Sequence, residues 1–546
     1  MKFWDERKMY RYLLWPVIAV HVLGLFVDVM EIDAAQYASI SLEMLRDGHW
    51  LEIYHRHGDY LDKPPLLFWL SAMSFWLLGV TNFAYKLPSF LFGLLAMYAT
   101  YRLTRLYYGR RAGRLAALIL GTAQAFFLMT TDVRTDLLLT GAVATAIWQL
   151  AEYLENEQWK YLFGGFFFIG LALLAKGPIG LMVPVLAIGT DRIIRGRYRD
   201  LYRWQWLVGM VLVGLMLLPM LYGLYEQFDK HPEKLVNGRR QVSGLYFYLW
   251  EQSFGRITGE SVWRDDSTPF FFVHTLLWAF LPWTPVLLAA LWDRLRHLKD
   301  KRRYQEYMSV GGFVLTFLAL SLSHYKLPHY LNVILPLGAM ISGGYLDHLR
   351  VRPARRLRVA QYFVYLSLWI LALILAFYIF TPVKATAVIV ATGAMALAVH
   401  NMWRLPPRNG IVVNGILTAV AVNMILNLQV YPNLLRYQST SAAGRWLRSR
   451  PEVKAHFAAL KTWGHALDFY GRTIVPHRRS VAELRPEEWY LFTDDPGLKQ
   501  LREAGRDYII IRRFEDYPVT LLTLRFLDPR TRHNATTRKY IVRLNP

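Results

Sequence analysis

The sequence predicts a polytopic α-helical membrane protein carrying a small soluble α/β domain at its C-terminus. Three observations predict it. Of 546 residues, 54% are hydrophobic and 15% aromatic. Apolar runs recur along the chain, among them "LWPVIAVHVLGLFV", "VLVGLMLLPMLYGLY" and "FVYLSLWILALILAFYIF". Runs on the order of 20 such residues match the hydrocarbon thickness of a bilayer. After Val430 the composition changes: charges multiply, and β-like runs ("DYIIIRRF", "VTLLTLRFL", "KYIVRL") alternate with the helical "DDPGLKQLREAG".

The net charge of +23 does not point to nucleic acid. Its Arg and Lys cluster in short segments between apolar runs, the positive-inside pattern of cytoplasmic loops. Cysteine is absent, which excludes disulfides and thiolate metal sites. The first apolar run follows "MKFWDERKMYRY" and lacks a small-residue cleavage site, so it reads as a retained first helix.

The charges set the expected topology. Lys2, Arg7, Lys8 and Arg11 place the N-terminus in the cytoplasm, together with the basic loops 102–114, 192–203, 294–303, 350–358 and 404–408. The first helix, 12–30, exits. Residues 31–86 then stay outside, because a crossing by 64–79 would put the five arginines of 102–114 on the wrong side. That segment opens on two prolines and is short for a span, so it is read as an interfacial helix with Trp69 and Trp76 as headgroup-level anchors. A second helix re-enters from Leu87. Further spans are expected at 112–130, 136–154, 160–175, 178–192, 205–224, 269–291, 307–322, 330–348, 359–381, 384–401 and 411–430, thirteen in all. The expected division is a transmembrane domain over 1–431, with external loops at 31–86 and 225–268, and a periplasmic α/β domain over 432–546. The expected location is a bacterial inner (cytoplasmic) membrane.

Charged residues pressed against apolar sequence mark where chemistry could lie. The first outer loop holds Asp28, Glu31 and Asp33, followed by the amphipathic pattern of Tyr37, Ile40, Leu42 and Leu45, and then Asp62-Lys63-Pro64-Pro65. A tight turn carries Asp132, Arg134 and Asp136. Lys176 sits in "LLAKGPIG", Arg256 in the loop 225–268, and His324, Tyr325, Lys326, His329 and Tyr330 in "SHYKLPHYL". Taken singly, an acid in a first helical turn is often only a cap, and a lone cation at a membrane edge snorkels to headgroups. Several together on one face suit an anionic lipid substrate, with Arg and Lys placed for phosphate.

The ordered set "EIDAAQY", "YLDKPPLLFWL", "YKLPSFLFGLLAMYATYRLTRLYYGRRAG", "DVRTDLLLT", "LLAKGPIGLMVP" and "SHYKLPHYLNVILP" resembles the C-type membrane glycosyltransferases that use polyprenyl-phosphate sugars. Within them it is similar to the bacterial branch containing protein O-mannosyltransferases and the lipid A aminoarabinose transferase. The resemblance implies juxtamembrane helices in the first outer loop and a catalytic aspartate there, which falls on Asp33. It implies carrier-phosphate contacts at Lys63, Arg256 and Tyr330. Asp62, Asp136, Lys176 and Lys326 are supporting or sugar-binding candidates.

On that basis Asp33 is expected to act as general base toward an acceptor hydroxyl, while Lys63, Arg256 and Tyr330 stabilise the departing phosphate. A single displacement of this kind inverts the anomeric centre. No cofactor is required. A divalent cation, if used, would be shared by Asp33 and Asp136. The expected partners are an undecaprenyl-phosphate-linked sugar and a lipid A or protein acceptor, with 4-amino-4-deoxy-L-arabinose onto lipid A as first choice and protein O-glycosylation as alternative. A flippase would show charges near the midplane and repeated halves, which the sequence lacks. A scaffold whose outer domain binds a partner would leave the ordered charged turns unexplained.

Overall fold

The computed structural model describes residues 6–252, 255, 268–298 and 305–545. α1 (Glu6–Gly24) leads into a first loop that carries α2 (Asp33–Asp47), the hairpin strands β1 (Tyr54–His55) and β2 (Gly58–Asp59), and α3 (Leu66–Leu78). α3 has 13 residues, about 20 Å at about 1.5 Å per residue, too short to cross about 30 Å of hydrocarbon. It packs against α2 and the start of the next helix instead. The two expected anchors differ: Trp76 is 72% exposed, whereas the Trp69 indole donates to the Trp50 carbonyl at 2.5 Å.

α4 (Asn82–Gly121) divides at Gly109, whose φ of 85° is open to glycine without steric penalty. Its second half and α5 (Gln124–Thr131), bent by 54° from it, replace the single helix expected over 112–130. α6 (Thr135–Asn156), α7 (Trp159–Lys176), α8 (Ile179–Ile194) and α9 (Gln205–Leu224) follow the expected spans. "AKGPIG" therefore joins two separate helices.

Ion pairs separate the two ends of the bundle. At one end Arg102 meets Glu152 (3.2 Å), Arg192 meets Glu155 (3.2 Å), Arg203 meets Glu157 (2.8 Å) and Arg111 meets Asp347 (3.2 Å). The first loop, the α5–α6 turn and the α7–α8 turn meet at the other, called here the loop end. Among the described residues, six helices are long and apolar enough to cross a membrane, or eight if each bent pair counts as one. The fold is that of a polytopic helical membrane protein. Only 11% of the 385–402 helix is buried, against 94% of α6, so the former faces lipid and the latter forms the centre.

The span expected over 269–291 is broken. Phe271–Ala279 and Thr284–Arg296 lie at 118° to one another. Pro282 lacks an N–H and disfavours helical geometry in the residue before it. The freed carbonyls are satisfied within the protein: Gln124 N donates to Leu281 O at 2.8 Å and Gln361 Nε2 to Pro282 O at 2.9 Å. Irregular backbone at membrane depth is tolerated under that condition.

Past the bundle, a five-stranded sheet has the order β4-β3-β5-β7-β6 (β3 Phe457–Leu460, β4 His477–Arg478, β5 Tyr490–Asp494, β6 Tyr508–Asp516, β7 Thr537–Leu544). β3 is parallel to β4 and β5, and β7 is antiparallel to β5 and β6. "VTLLTLRFL" is not a strand. It forms a turn and the short helix Leu524–Leu527, and Phe526 stacks on Tyr517 at 3.7 Å within an apolar cluster that includes Trp369 and Phe380 of the bundle. These apolar residues join the sheet region to the membrane helices rather than pairing with a neighbouring strand.

Candidate functional site

α2 and α6 each begin on an acidic first turn, where helix dipoles favour negative charge. Their partners show more than capping. Arg134, just ahead of α6, donates to the Asp33 carboxylate and, through Nε at 3.2 Å, to Asp132. One guanidinium thus ties the first loop to the α5–α6 turn and fixes Asp33 in orientation. Burial opposes the charge on Arg134, but Asp132 and Asp33 outweigh it and hold its proton more firmly than usual. Burial pushes the Asp132 carboxyl up, and Arg134 pulls it back.

The second group is built on α6, α7 and the 3-10 turn Pro328–Ile334. Lys176 Nζ lies 2.5 Å from Asp136 Oδ1 and 3.9 Å from the centre of the Tyr330 ring. His329 Nε2 lies 3.7 Å from the other Asp136 oxygen. Both members of the Asp136–Lys176 pair are largely buried. Lys326, also buried, directly precedes this turn. The structure therefore brings together Asp136, Lys176 and Tyr330, three candidates that lie far apart in sequence.

Lys63 pairs with its neighbour Asp62 at 2.9 Å. It lines a small cleft with Tyr60, Pro64, Gln227, Tyr248 and Gln252. Gln252 Nε2 donates to the Asp62 carbonyl at 2.5 Å and the Tyr248 hydroxyl to Leu173 O at 3.1 Å, so the 225–252 loop closes over Lys63 and the end of α7. The hydroxyls of Tyr37 and Tyr60 are buried, which pushes their pKa well up, and the fields of both Asp33 and Asp62 add to it. These two carboxylates therefore share one buried environment. Arg256 lies outside the described residues.

The C-terminal region docks onto the same loop. Glu31, two residues before Asp33, accepts from Ala466 N at 2.7 Å and Thr440 Oγ1 at 3.2 Å; burial pushes its carboxyl up to about 7, against those hydrogen bonds. His55 and His465 face one another at 3.2 Å. Burial lowers them to about 4 and about 3, helped by Arg56. Arg56 bonds Asp468, whose carboxyl is raised by burial to about 6 although Arg56 pulls it back.

Asp33 is held by Arg134 and Asp136 by Lys176, so each of the two carboxylates already has a basic partner. Among the described residues, Glu43, Asp47 and His57 have metal-ligand composition. Their acids are committed elsewhere: Glu43 accepts the Arg56 and His57 N–H groups at 2.7 Å each, and Arg46 grips Asp47 at 2.6 and 2.9 Å.

Residues 62–222 match the family model described as dolichyl-phosphate-mannose-protein mannosyltransferase. Across 315 residues the chain is 27% identical to an undecaprenyl phosphate-alpha-4-amino-4-deoxy-L-arabinose arabinosyl transferase of Yersinia pestis (strain Pestoides F), covering 57% of this chain and 53% of that protein. A Sodalis glossinidius transferase of the same description is 27% identical over 317 residues. The chain thus spans about half the length of the curated relatives it matches. Structural similarity extends further. The crystal structure of ArnT from Cupriavidus metallidurans bound to undecaprenyl phosphate superimposes with a TM-score of 0.75 over 97% of both chains, at 18% identity. The chain has the fold of that ArnT structure. A more distant fold neighbour, the archaeal oligosaccharyltransferase AglB from Archaeoglobus fulgidus, has a TM-score of 0.52 and covers 90% of this chain and 70% of its own.

Within this fold, sequence reasoning left Arg134, His329 and Gln252 without assigned roles, although the first two stand in quoted motifs. The alternation Asp132-Val133-Arg134-Thr135-Asp136 was the available signal for Arg134. Nothing local announces that Gln252 reaches Asp62, because that contact depends on how the 225–252 loop folds back.

Proposed function

We propose that this chain is an integral-membrane glycosyltransferase that moves a sugar from an undecaprenyl-phosphate carrier to an acceptor, namely 4-amino-4-deoxy-L-arabinose onto lipid A. The observation that carries this reading is the gathering of Asp33, Asp62–Lys63 and Asp136–Lys176–Tyr330 at the loop end, beside helices too short to span. The full-length likeness to an ArnT bound to undecaprenyl phosphate and the names of the curated relatives support it.

Lys63 would take the carrier phosphate as a point charge and offset the negative charge that develops as the glycosidic oxygen leaves. Arg256 and Tyr330 are proposed to assist. Asp33, oriented by Arg134, would face the acceptor oxygen and accept its proton where it has one. Attack opposite the departing phosphate inverts the anomeric carbon. Asp62, Asp136, Lys176 and Lys326 would position the sugar, and the carboxylates would suit a sugar amine.

The same reading takes the chain to cross the bacterial inner membrane thirteen times. The N-terminus is cytoplasmic, 1–431 is the catalytic membrane domain and 432–546 a periplasmic α/β domain. It is supported by the meeting of the basic loops at the end opposite the site. The test is acceptor choice: protein in nanodiscs is given radiolabelled undecaprenyl-phosphate aminoarabinose with lipid A or a serine/threonine-rich peptide. Label in lipid A supports the proposal. Label confined to peptide would replace it with protein O-glycosylation, the reading favoured by the family model's description.

A further inference from the structure

A cavity of about 420 Å³ lies where the last bundle helix passes into the sheet region, outside the catalytic group. Its lining includes Arg436, Arg445, Arg512, Arg513 and Arg532 against a single carboxylate, Glu515. Two of these guanidiniums are committed. Arg445 pairs with Asp28 at 2.9 Å, and Arg532 donates to Ile379 O at 2.7 Å and Phe526 O at 2.9 Å. Arg436, Arg512 and Arg513 form no ion pair among the described residues and are exposed.

Like charges gathered around one cavity repel unless an anion enters. Arg512 and Arg513 sit on β6, an edge strand, where charge also guards against unwanted strand pairing. Edge protection does not explain why Arg436, from the end of the membrane helices, lines the same space. The cavity reaches the bundle: Phe380 and Thr381 in its lining directly follow the apolar helix Val351–Ile379, whose Ile374, Phe377 and Tyr378 are exposed. A ligand here would have its charged part among guanidiniums and its chains along an apolar helix.

We propose that this cavity docks a phosphate group of the acceptor lipid, a phosphorylated glycolipid such as lipid A, at a subsite separate from the carrier-phosphate contact at Lys63. Arg436, Arg512 and Arg513 supply forked, charge-assisted hydrogen bonds to phosphate oxygens. Asp28 links the subsite to the first loop, because it pairs with Arg445 and lies five positions before Asp33. The inference rests on the acceptor reading above.

The test uses full-length protein in phosphatidylcholine nanodiscs, with radiolabelled lipid A binding measured beside transfer kinetics. The double substitution Arg512→Gln/Arg513→Gln alters exposed side chains, and an unchanged melting temperature verifies its fold. Lipid A binding should weaken and its KM should rise by about tenfold or more, with kcat at saturating acceptor and the undecaprenyl-phosphate-sugar KM unchanged. Undecaprenyl phosphate should not displace bound lipid A. An unchanged lipid A affinity in the double variant would overturn the inference while leaving the proposed function standing. Equal displacement by phosphatidylglycerol would also overturn it, as a generic headgroup site. Arginine-dependent lipid A binding without any transfer would sustain the subsite and sink the transferase reading instead.

Discussion

Glu31→Gln isolates the contact between the first loop and the C-terminal region. In the folded protein the Glu31 carboxyl titrates near 7, against 4.5 for the unperturbed group, chiefly because it is buried. Between these values the folded state holds a proton that the unfolded chain has released. Stability from this group is therefore fully present below 4.5, falls as pH rises through the window, and reaches its floor above 7. The gap corresponds to ~3 kcal/mol at alkaline pH. Glutamine stays neutral and retains an oxygen to accept from Ala466 N and Thr440 Oγ1. At pH 8 the variant should be more stable than wild type by up to ~3 kcal/mol, less the value of the lost charged hydrogen bonds; at pH 4.5 the two should nearly coincide. Denaturation followed by fluorescence suits the measurement, because Trp463 lies 4.6 Å from His465 in this contact. Asp468 and the His55–His465 pair titrate in both proteins, so the difference between them reports Glu31. A difference independent of pH, or a wild type that gains on the variant from pH 5 to 8, would refute the reasoning.

Lys176→Met leaves the buried Asp136 without its cation and should destabilise the protein by ~3–5 kcal/mol, with much of the loss recovered by adding Asp136→Asn; thermal melts of the three variants check it. Arg134→Gln frees Asp33 and should lower kcat for transfer by at least about tenfold while leaving undecaprenyl-phosphate affinity intact, as measured by acceptor kinetics beside lipid binding; unchanged kcat would remove Arg134 from the site. A His55→Gln/His465→Gln variant should gain on wild type as pH falls from 6.5 toward 4, because burial holds both imidazoles neutral in the fold while the unfolded chain takes up their protons; denaturation of both proteins across that range checks it, since Glu31 and Asp468, which titrate in the opposite sense, are common to both. Gly141→Ala would place a Cβ 2.4 Å from the Phe92 carbonyl, forcing α4 and α6 apart at about 1–3 kcal/mol, visible as a lower melting temperature.

Much of the fold was legible because membrane helices announce themselves by length and composition, and because basic loops carry parity. The expectation that 64–79 does not cross came from the arginines at 102–114, and the structure gives α3 13 residues lying against α2 and α4. Breaks inside apolar runs were not legible. The 118° bend at Pro282 is accommodated by Gln124 and Gln361, residues far away in sequence. "VTLLTLRFL" read as a strand because its apolar residues fit that period, whereas its Phe526 is buried against Tyr517 and the membrane helices. At the site, the residue types at Asp33, Lys63, Asp136 and Lys176 were visible as charges against apolar sequence. Their pairing was not, since Asp33 with Arg134 and Asp136 with Lys176 and His329 depend on which turns meet at the loop end.

The central claim is that Asp33 and Lys63 carry sugar transfer from an undecaprenyl-phosphate donor. The direct test compares wild type, Asp33→Asn and Lys63→Ala in nanodiscs with radiolabelled undecaprenyl-phosphate aminoarabinose and lipid A. The account predicts transfer by wild type and its near-complete loss in both variants at unchanged melting temperature, with donor binding weakened by Lys63→Ala alone. Full turnover by both variants would contradict it.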